Sequence, residues 1–328
     1  IMDEIREIRA DENMPVTLSI GVSDISGTLA QKEEAARSAL ETALQRGGDQ
    51  AVYKTRDNVE YYGGRTKTLQ KRTKVRSRVI ATELVALIAK SENVLIMGHA
   101  HADHDALGSC VGLAALCRYC GVDAKIAMEN DNENISACLD CIEQDEAFSN
   151  VFVECEEILD FVRPNTLLLI SDVCNPRTFS VPELYENVRR CVIIDHHRLA
   201  SELPYPPLIS YIEPAASSAS ELVAEILEQV MPTGEISKEC ADLMLAGMLL
   251  DTDQFTRNTG VRTFSAALYL RGEGADPADA KRLFRSSLDD FMREAKFQSN
   301  VVIYRSVIAI TYRDSDGTGY ADCIAAAK

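Results

Sequence analysis

The five histidines of this 328-residue chain all fall in two short stretches. His99, His101 and His104 lie in GHAHADHDALGS, and His196 and His197 in IIDHHR. A neutral imidazole is the commonest protein ligand for a metal and changes charge near neutral pH. Both stretches are rich in aspartate, and each directly follows an apolar run, NVLIMG or RCVIID. Runs of that kind read as buried strands, so both clusters are expected where strands end. In open α/β sheets ligands bind at the carboxyl ends of the strands. One site built from both stretches is the expectation.

Two further aspartates extend the set. Asp172 follows the apolar run TLLLIS, and Asp251 closes an apolar helical stretch. Together with His99, Asp103, Asp105, His196 and His197 they form a mixed set of carboxylates and imidazoles. Such a set suits Mn²⁺, Zn²⁺ or Fe²⁺, whereas an all-oxygen set suggests Mg²⁺ or Ca²⁺. The four aspartates with any two of the histidines already exceed the needs of one ion and match two ions that share a carboxylate. Two ions roughly 3.5–4 Å apart activate a water and stabilise both the attacking and the leaving oxygen of a displacement at phosphorus. A lone aspartate after a strand is ordinarily an N-cap. The combination of HxxxDxD, SD, DHH and LLDT in one chain is what points to metal chemistry.

The elements that must position these residues follow from the pattern. From Asn93 apolar strands alternate with helices, which argues for a mainly parallel α/β sheet flanked by helices. Strands are expected at NVLIMG, Asp123 to Met128, Thr166 to Ile170 and Cys191 to Ile194. Helices are expected at Val79 to Ala89, Ala106 to Cys120, Ser218 to Val230, Glu239 to Leu250 and across most of Leu268 to Phe297, with Ile142 to Phe148 weakly helical. Val301 to Thr311 restarts as a strand, followed by a turn at DSDGTG. Before Asn93, Met14 to Ser23 and Ala51 to Tyr53 read as strands around a helix from Gln31 to Gln45. Arg65 to Arg78 carries seven basic residues and no acidic one; it reads as a solvated linker, with a phosphate-binding strip as the alternative.

Composition limits the partners. The net charge of −17 argues against a general binder of duplex nucleic acid, but not against a small anionic substrate held through metal ions. No run reaches the ~18 apolar residues of a membrane helix, and no signal peptide is visible at Ile1. The chain lacks an initiator Met and opens as if in mid-helix (IMDEIREIRADE), so a piece of a longer protein is expected. Cys117 with Cys120 and Cys138 with Cys141 have the spacing of a zinc site. Their helical spacing with Cys110 and Leu113 gives the reading we favour, buried cysteines acting as small apolar side chains. Ten scattered thiols fit a reducing compartment.

HAHADHD, LLLISD, VIIDHH and GMLLDTDQF, in this order, resemble the DHH phosphoesterase superfamily over roughly residues 93–300. SYIEPAASSASELVAE and FTRNTGVRTFSAALYLRGEGADP look like the DHH domain of GdpP-type cyclic-di-AMP phosphodiesterases. The SIGVS strand, Ala-rich helix and RGGDQAVY resemble the C-terminal part of a GGDEF domain, in which the signature hairpin precedes SIGVS. Gly47-Gly48-Asp49 is therefore only a turn, and no cyclase activity is expected.

The resemblance implies residues 1–62 as a degenerate GGDEF remnant, 63–92 as a linker helix, 93–284 as a DHH domain, and 285–328 as a connector with the start of a DHHA1 domain. It implies hydrolysis of cyclic-di-AMP to linear pApA by a hydroxide activated between two Mn²⁺, with Co²⁺ or Mg²⁺ as other ions. His99 and Asp103 would bind one ion, Asp105, His196 and Asp251 the other, and Asp172 would bridge. Asp195 would orient the histidines, and His197 would meet a phosphate oxygen or protonate the leaving 3′-oxygen. Ser217, Ser218, Arg262 and Thr263 are candidates for substrate contact, with an N-cap or a salt bridge as their other reading. His101 and His104 are expected to be solvent-facing loop residues.

The family's DHHA1 half carries a GGGH-type loop that does not occur before Lys328, so weaker turnover than the full protein is expected of this chain. The family also carries membrane helices upstream, which implies a site on the cytoplasmic side of an anchored protein. Homodimerisation is expected from exposed apolar strands. The rival functions are an oligoribonuclease, a pApA or 3′-phosphoadenosine phosphatase, and a nucleotide sensor without catalysis.

Overall fold

The computed structural model describes residues 9–11, 14–15, 18–45, 48–56, 58–63, 74–129, 132, 135–198, 203–284, 292, 301–304 and 308–310. By its internal contacts the chain divides into Ile1–Leu283 and Phe284–Lys328.

The first segment opens with a short antiparallel pair, β1 (Arg9–Asp11) and β2 (Met14–Pro15). The expected opening helix is thus a strand at Arg9–Asp11, and its earlier residues lie outside the described ones. A separate three-stranded sheet of β3 (Ile20–Asp24), β4 (Gln50–Thr55) and β5 (Val59–Gly63) packs against α1 (Leu29–Gln45). The single strand expected over Met14 to Ser23 is therefore two strands in different sheets. Its small apolar cluster is Ala39, Ala43 and Val52, with Tyr61 against them.

The helix α2 (Lys74–Ile88) starts five residues before the expected Val79. The basic stretch looked solvated, yet Ser77 is buried and Arg76 pairs with Glu213 at 3.0 Å while lying over the Tyr211 ring. After it come β6 (Val94–Met97), α3 (His104–Tyr119), β7 (Ala124–Met128), α4 (Ser136–Ile142), β8 (Phe152–Glu154), β9 (Leu167–Ser171), α5 (Pro182–Asn187), β10 (Cys191–Asp195) and β11 (Ile209–Ile212). The weak helix expected over Ile142 to Phe148 lies earlier, as α4, followed by one short turn at Glu146–Phe148. The edge strands β8 and β11 were not expected.

The six strands form one all-parallel sheet in the order β11-β10-β9-β6-β7-β8. Every residue of β6, β9 and β10 is buried, as parallel strands covered on both faces require. From β6 the chain winds outward through β7 and β8, then returns to β9 and winds the other way. The reversal leaves a crevice between the carboxyl ends of β6 and β9, the usual ligand position in such sheets.

The helices α6 (Ala219–Val230), α7 (Lys238–Asp251), α8 (Val261–Gly272) and α9 (Pro277–Arg282) complete this part. The long helix expected from Leu268 begins instead at Val261 and is broken after Gly272; Asp276 caps α9 and Pro277 opens it. α3 and α7 cross closely, because Gly108 faces the Leu243 backbone where an added Cβ would lie 2.6 Å from its carbonyl oxygen. The second unit contains the antiparallel pair β12 (Val302–Tyr304) and β13 (Ile308–Ile310), so the strand expected over Val301 to Thr311 is a hairpin. The expected DSDGTG turn lies outside the described residues.

Candidate metal centre

Three strand ends and two helix ends deliver the acidic and imidazole side chains to the crevice. His99 lies two residues beyond β6, and Asp103 caps α3 by accepting from the Asp105 and Ala106 N–H groups. Asp172 follows β9 directly, with φ 61°. That left-handed turn costs a non-glycine residue about 1–2 kcal/mol and swings its carboxylate into the crevice. Asp195 ends β10, His196 and His197 follow it, and Asp251 is the last residue of α7.

The ligand atoms form two groups. His99, Asp103 and Asp172 offer atoms within 4.8 Å of one another, as do Asp105, His196 and Asp251. Asp172 lies between them: Oδ2 is 3.5 Å from His99 Nε2 and Oδ1 is 3.2 Å from His196 Nε2. His196 Nε2 is also 3.0 Å from Asp251 Oδ2 and 3.8 Å from Asp105 Oδ2. A third group joins Asp195 and His197 to Asp172 and His196. His99 Nδ1 donates to the Ala100 carbonyl at 2.8 Å, which leaves Nε2 aimed at the carboxylates. His197 Nδ1 is 2.8 Å from Asp195 Oδ1, and its ring is more than half exposed.

So many buried carboxylates distort one another's protonation. Burial disfavours an imidazolium at His99, yet the Asp103 and Asp172 carboxylates outweigh it and push its pKa up to about 11. His196 is likewise raised to about 11, against burial, by Asp172, Asp251 and Asp105. Burial opposes ionisation of Asp103, but His99 lowers it to about 2. Asp105 is raised by burial and by the charges of Asp172 and Asp251, and Asp251 by burial, Asp172 and Asp103. Asp195 raises His197, while His197 overcomes the burial of Asp195 and lowers it.

The residues fit divalent-metal binding. Asp172 Oδ1 and His196 Nε2 are buried and, among the described residues, make no hydrogen bond although only 3.2 Å separates them. Donor atoms that converge without bonding one another, with excess negative charge around them, are what a cation neutralises. The mixture of imidazole and carboxylate suits Mn²⁺.

The residues expected to touch substrate lie around the start of α6 and α8. Ser217, Ser218 and Thr263 are buried, and Arg262 is largely so. Ser218 caps α6, Ser217 and Thr263 bond Glu221, and Arg262 pairs with Glu225 and bonds Ser77. Their alternative reading, cap and salt bridge, describes these contacts. His101 is an exposed loop residue with φ 60°. His104 departs from expectation: it opens α3, is buried, and its Nε2 lies 3.2 Å from the Leu283 carbonyl. Cys117, Cys120, Cys138 and Cys141 are free thiols, and among the described residues no metal-like cluster contains them.

A doubly wound sheet with a carboxylate–imidazole cluster at its switch point defines a candidate metal-binding α/β scaffold, and residues 93–248 match the model of the DHH family N-terminal domain. Residues 1–61 match the GGDEF domain of cyclic-di-AMP phosphodiesterase GdpP-like proteins. The chain is 34% identical over 331 residues to cyclic-di-AMP phosphodiesterase GdpP of Bacillus subtilis, covering 100% of this chain and 50% of that protein. It is 30% identical over 162 residues to a probable manganese-dependent inorganic pyrophosphatase of Streptococcus thermophilus, 48% of each chain. A solved exopolyphosphatase-related protein from Bacteroides fragilis shares the fold, with a TM-score of 0.55 and 21% identity over 73% of this chain and 68% of that one. The chain spans about half the length of the curated GdpP and PdeA relatives it matches.

Proposed function

We propose that this chain carries the metal centre of a phosphodiesterase that hydrolyses cyclic-di-AMP to linear pApA. The observation that carries the reading is Asp172, whose two carboxylate oxygens face the two ligand groups separately. His99 and Asp103 would hold one ion and Asp105, His196 and Asp251 the other, with Asp172 shared. When bound, two Mn²⁺ supply Lewis acidity toward phosphate oxygens and a water of lowered pKa.

The protein's own groups do the rest. Asp195 holds the more than half-exposed His197 ring through Nδ1 and raises its pKa, which favours an imidazolium with a proton on Nε2 as well. That proton is placed to bond a phosphate oxygen or pass to the leaving 3′-oxygen. Buried Asp195 takes no direct part and serves to orient His197. The same reading places residues 93–284, with α2 packed against them, as the DHH unit behind the GGDEF remnant. It also places the site at the cytoplasmic face of a membrane-anchored homodimer. Among the described residues no helix is long and apolar enough to cross a membrane.

The test is hydrolysis of cyclic-di-AMP, cyclic-di-GMP and pApA with Mn²⁺, comparing the chain with Asp172→Ala. Manganese-dependent production of pApA from cyclic-di-AMP, lost in the variant, is the expected result. Cleavage of pApA alone would make the protein an oligoribonuclease instead, and two bound ions without cleavage of any substrate would make it a sensor.

A further inference from the structure

Asp105 is wholly buried, and it is held by an element with no ligand of its own. Its Oδ2 accepts from the Ala219 N–H at 2.6 Å and its Oδ1 from the Ser220 N–H at 2.9 Å. These are the first two amides of α6, where unpaired N–H groups and the helix dipole favour an anion. The direction of the Asp105 carboxylate is therefore set by where the α6 N-terminus stands.

That N-terminus is locked by a buried polar knot. Ser218 Oγ accepts from the Glu221 N–H at 3.0 Å. Glu221 Oε2 accepts from the Ser217 N–H at 3.0 Å, the Ser217 hydroxyl at 2.6 Å and the Thr263 hydroxyl at 2.7 Å. Thr263 Oγ1 in turn accepts from the Gly260 N–H at 3.0 Å, which ties the knot to the start of α8. Glu221 is wholly buried, so these donors are what stabilise it there.

From the opposite side α7 leaves space for the same carboxylate. A Cβ at Gly247 would lie 2.8 Å from Asp105 Oδ1 and 2.5 Å from Ser220 Oγ, closer than such atoms approach. Gly247 stands one helical turn before Asp251, so the helix that delivers one carboxylate also gives clearance to the other.

We infer that Glu221, Thr263 and Gly247 are positioning residues for the metal centre, acting through Asp105, an inference that rests on Asp105 being a metal ligand. The knot aims the α6 amides at the carboxylate, and the missing side chain at position 247 lets it stay there. None of the three belongs to the ligand groups around Asp172.

The test measures Mn²⁺ affinity of the metal-free chain by calorimetry, with electron paramagnetic resonance of the ion pair and the thermal midpoint of the metal-free protein. Gly247→Ala and Thr263→Val should each weaken binding roughly ten- to a hundredfold and lessen the coupling between the two ions. Thr263→Ser, which keeps the hydroxyl, should restore both. Alanine is the better helix former, so a helical spectrum is expected to survive Gly247→Ala. Unchanged affinity in Gly247→Ala and Thr263→Val, with loss in Asp105→Ala, would overturn the inference and leave the metal site standing. Unchanged affinity in Asp105→Ala would overturn both. A lowered midpoint with unchanged affinity would mark the knot as structural only and also overturn it.

Discussion

At the scale of the residue, the site's chemistry comes from carboxylates that cannot all be charged and unpaired together. Without ions, His99 and His196 carry the compensating protons, which is why both are raised to about 11. An ion can bind only to the unprotonated nitrogen. Titrating Mn²⁺ into the metal-free chain at pH 7.5 should therefore release about two protons per ion pair, read as a dependence of the calorimetric heat on buffer ionisation enthalpy. Affinity should rise with pH across the neutral range, because pH 7.5 lies well below both values. Release of no protons would contradict the protonated imidazoles. The pair His197–Asp195 predicts a different signature. His197→Ala should lower kcat about 10²–10⁴-fold, the usual worth of a positioned acid, with ion affinity nearly intact. Asp195→Asn should act in the same direction by removing the charge that holds the ring protonated. Loss of both ions in His197→Ala would turn that residue into a ligand.

At the scale of the element, parallel strands place ligands and close helix crossings keep them apart at the right distances. Gly108 touches the Leu243 backbone, and Gly112 would put a Cβ 2.8 Å from Met244 Sδ and from Val223 Cγ1. Gly108→Ala should destabilise the protein by about 1–3 kcal/mol, as overpacking of a core does, despite the better helix propensity of alanine. Urea unfolding measures it, and unchanged stability would mean that α3 and α7 can slide apart freely.

The sequence displayed much of this arrangement. Continuous apolar runs announced β6, β9 and β10, and the residue types just beyond them announced a metal centre, because imidazoles beside carboxylates have few other uses at strand ends. Edge strands β8 and β11 were hidden because each is only three or four residues long. The start of α2 was hidden because Lys74 to Arg78 reads as solvated, and only the tertiary partners Glu213 and Tyr211 reveal Arg76 as anchored. Gly247 and the burial of His104 carry no local signal at all, and although Ser218 with Glu221 three residues on marks a helix start, the tie from Glu221 to Thr263 depends on a contact across the fold.

At the scale of the whole molecule, the proposed function asks an acidic chain to hold an anionic substrate. With a net charge of −17, attraction must be local, concentrated where ions offset the aspartates. That separates the work of the DHH part from the work of the segment before it. The first segment has its own small apolar cluster around Val52. α2, by contrast, buries Ala81, Leu84 and Ile88 completely and pairs with the following part through Arg76–Glu213 and Arg78–Gln229. α2 is thus part of the fold that carries the site, although the sequence presents it as a linker. Removing residues 1–63 should leave Mn²⁺ affinity unchanged and move the main thermal transition little. Leu84→Ala in the intact chain should cost about 2–5 kcal/mol and lower that transition by several degrees, since each kcal/mol shifts a domain of this size by about 2–4 °C. Calorimetry of both variants checks the division. If the deletion dissolves the metal centre while Leu84→Ala leaves it untouched, the first segment supports the site and α2 does not.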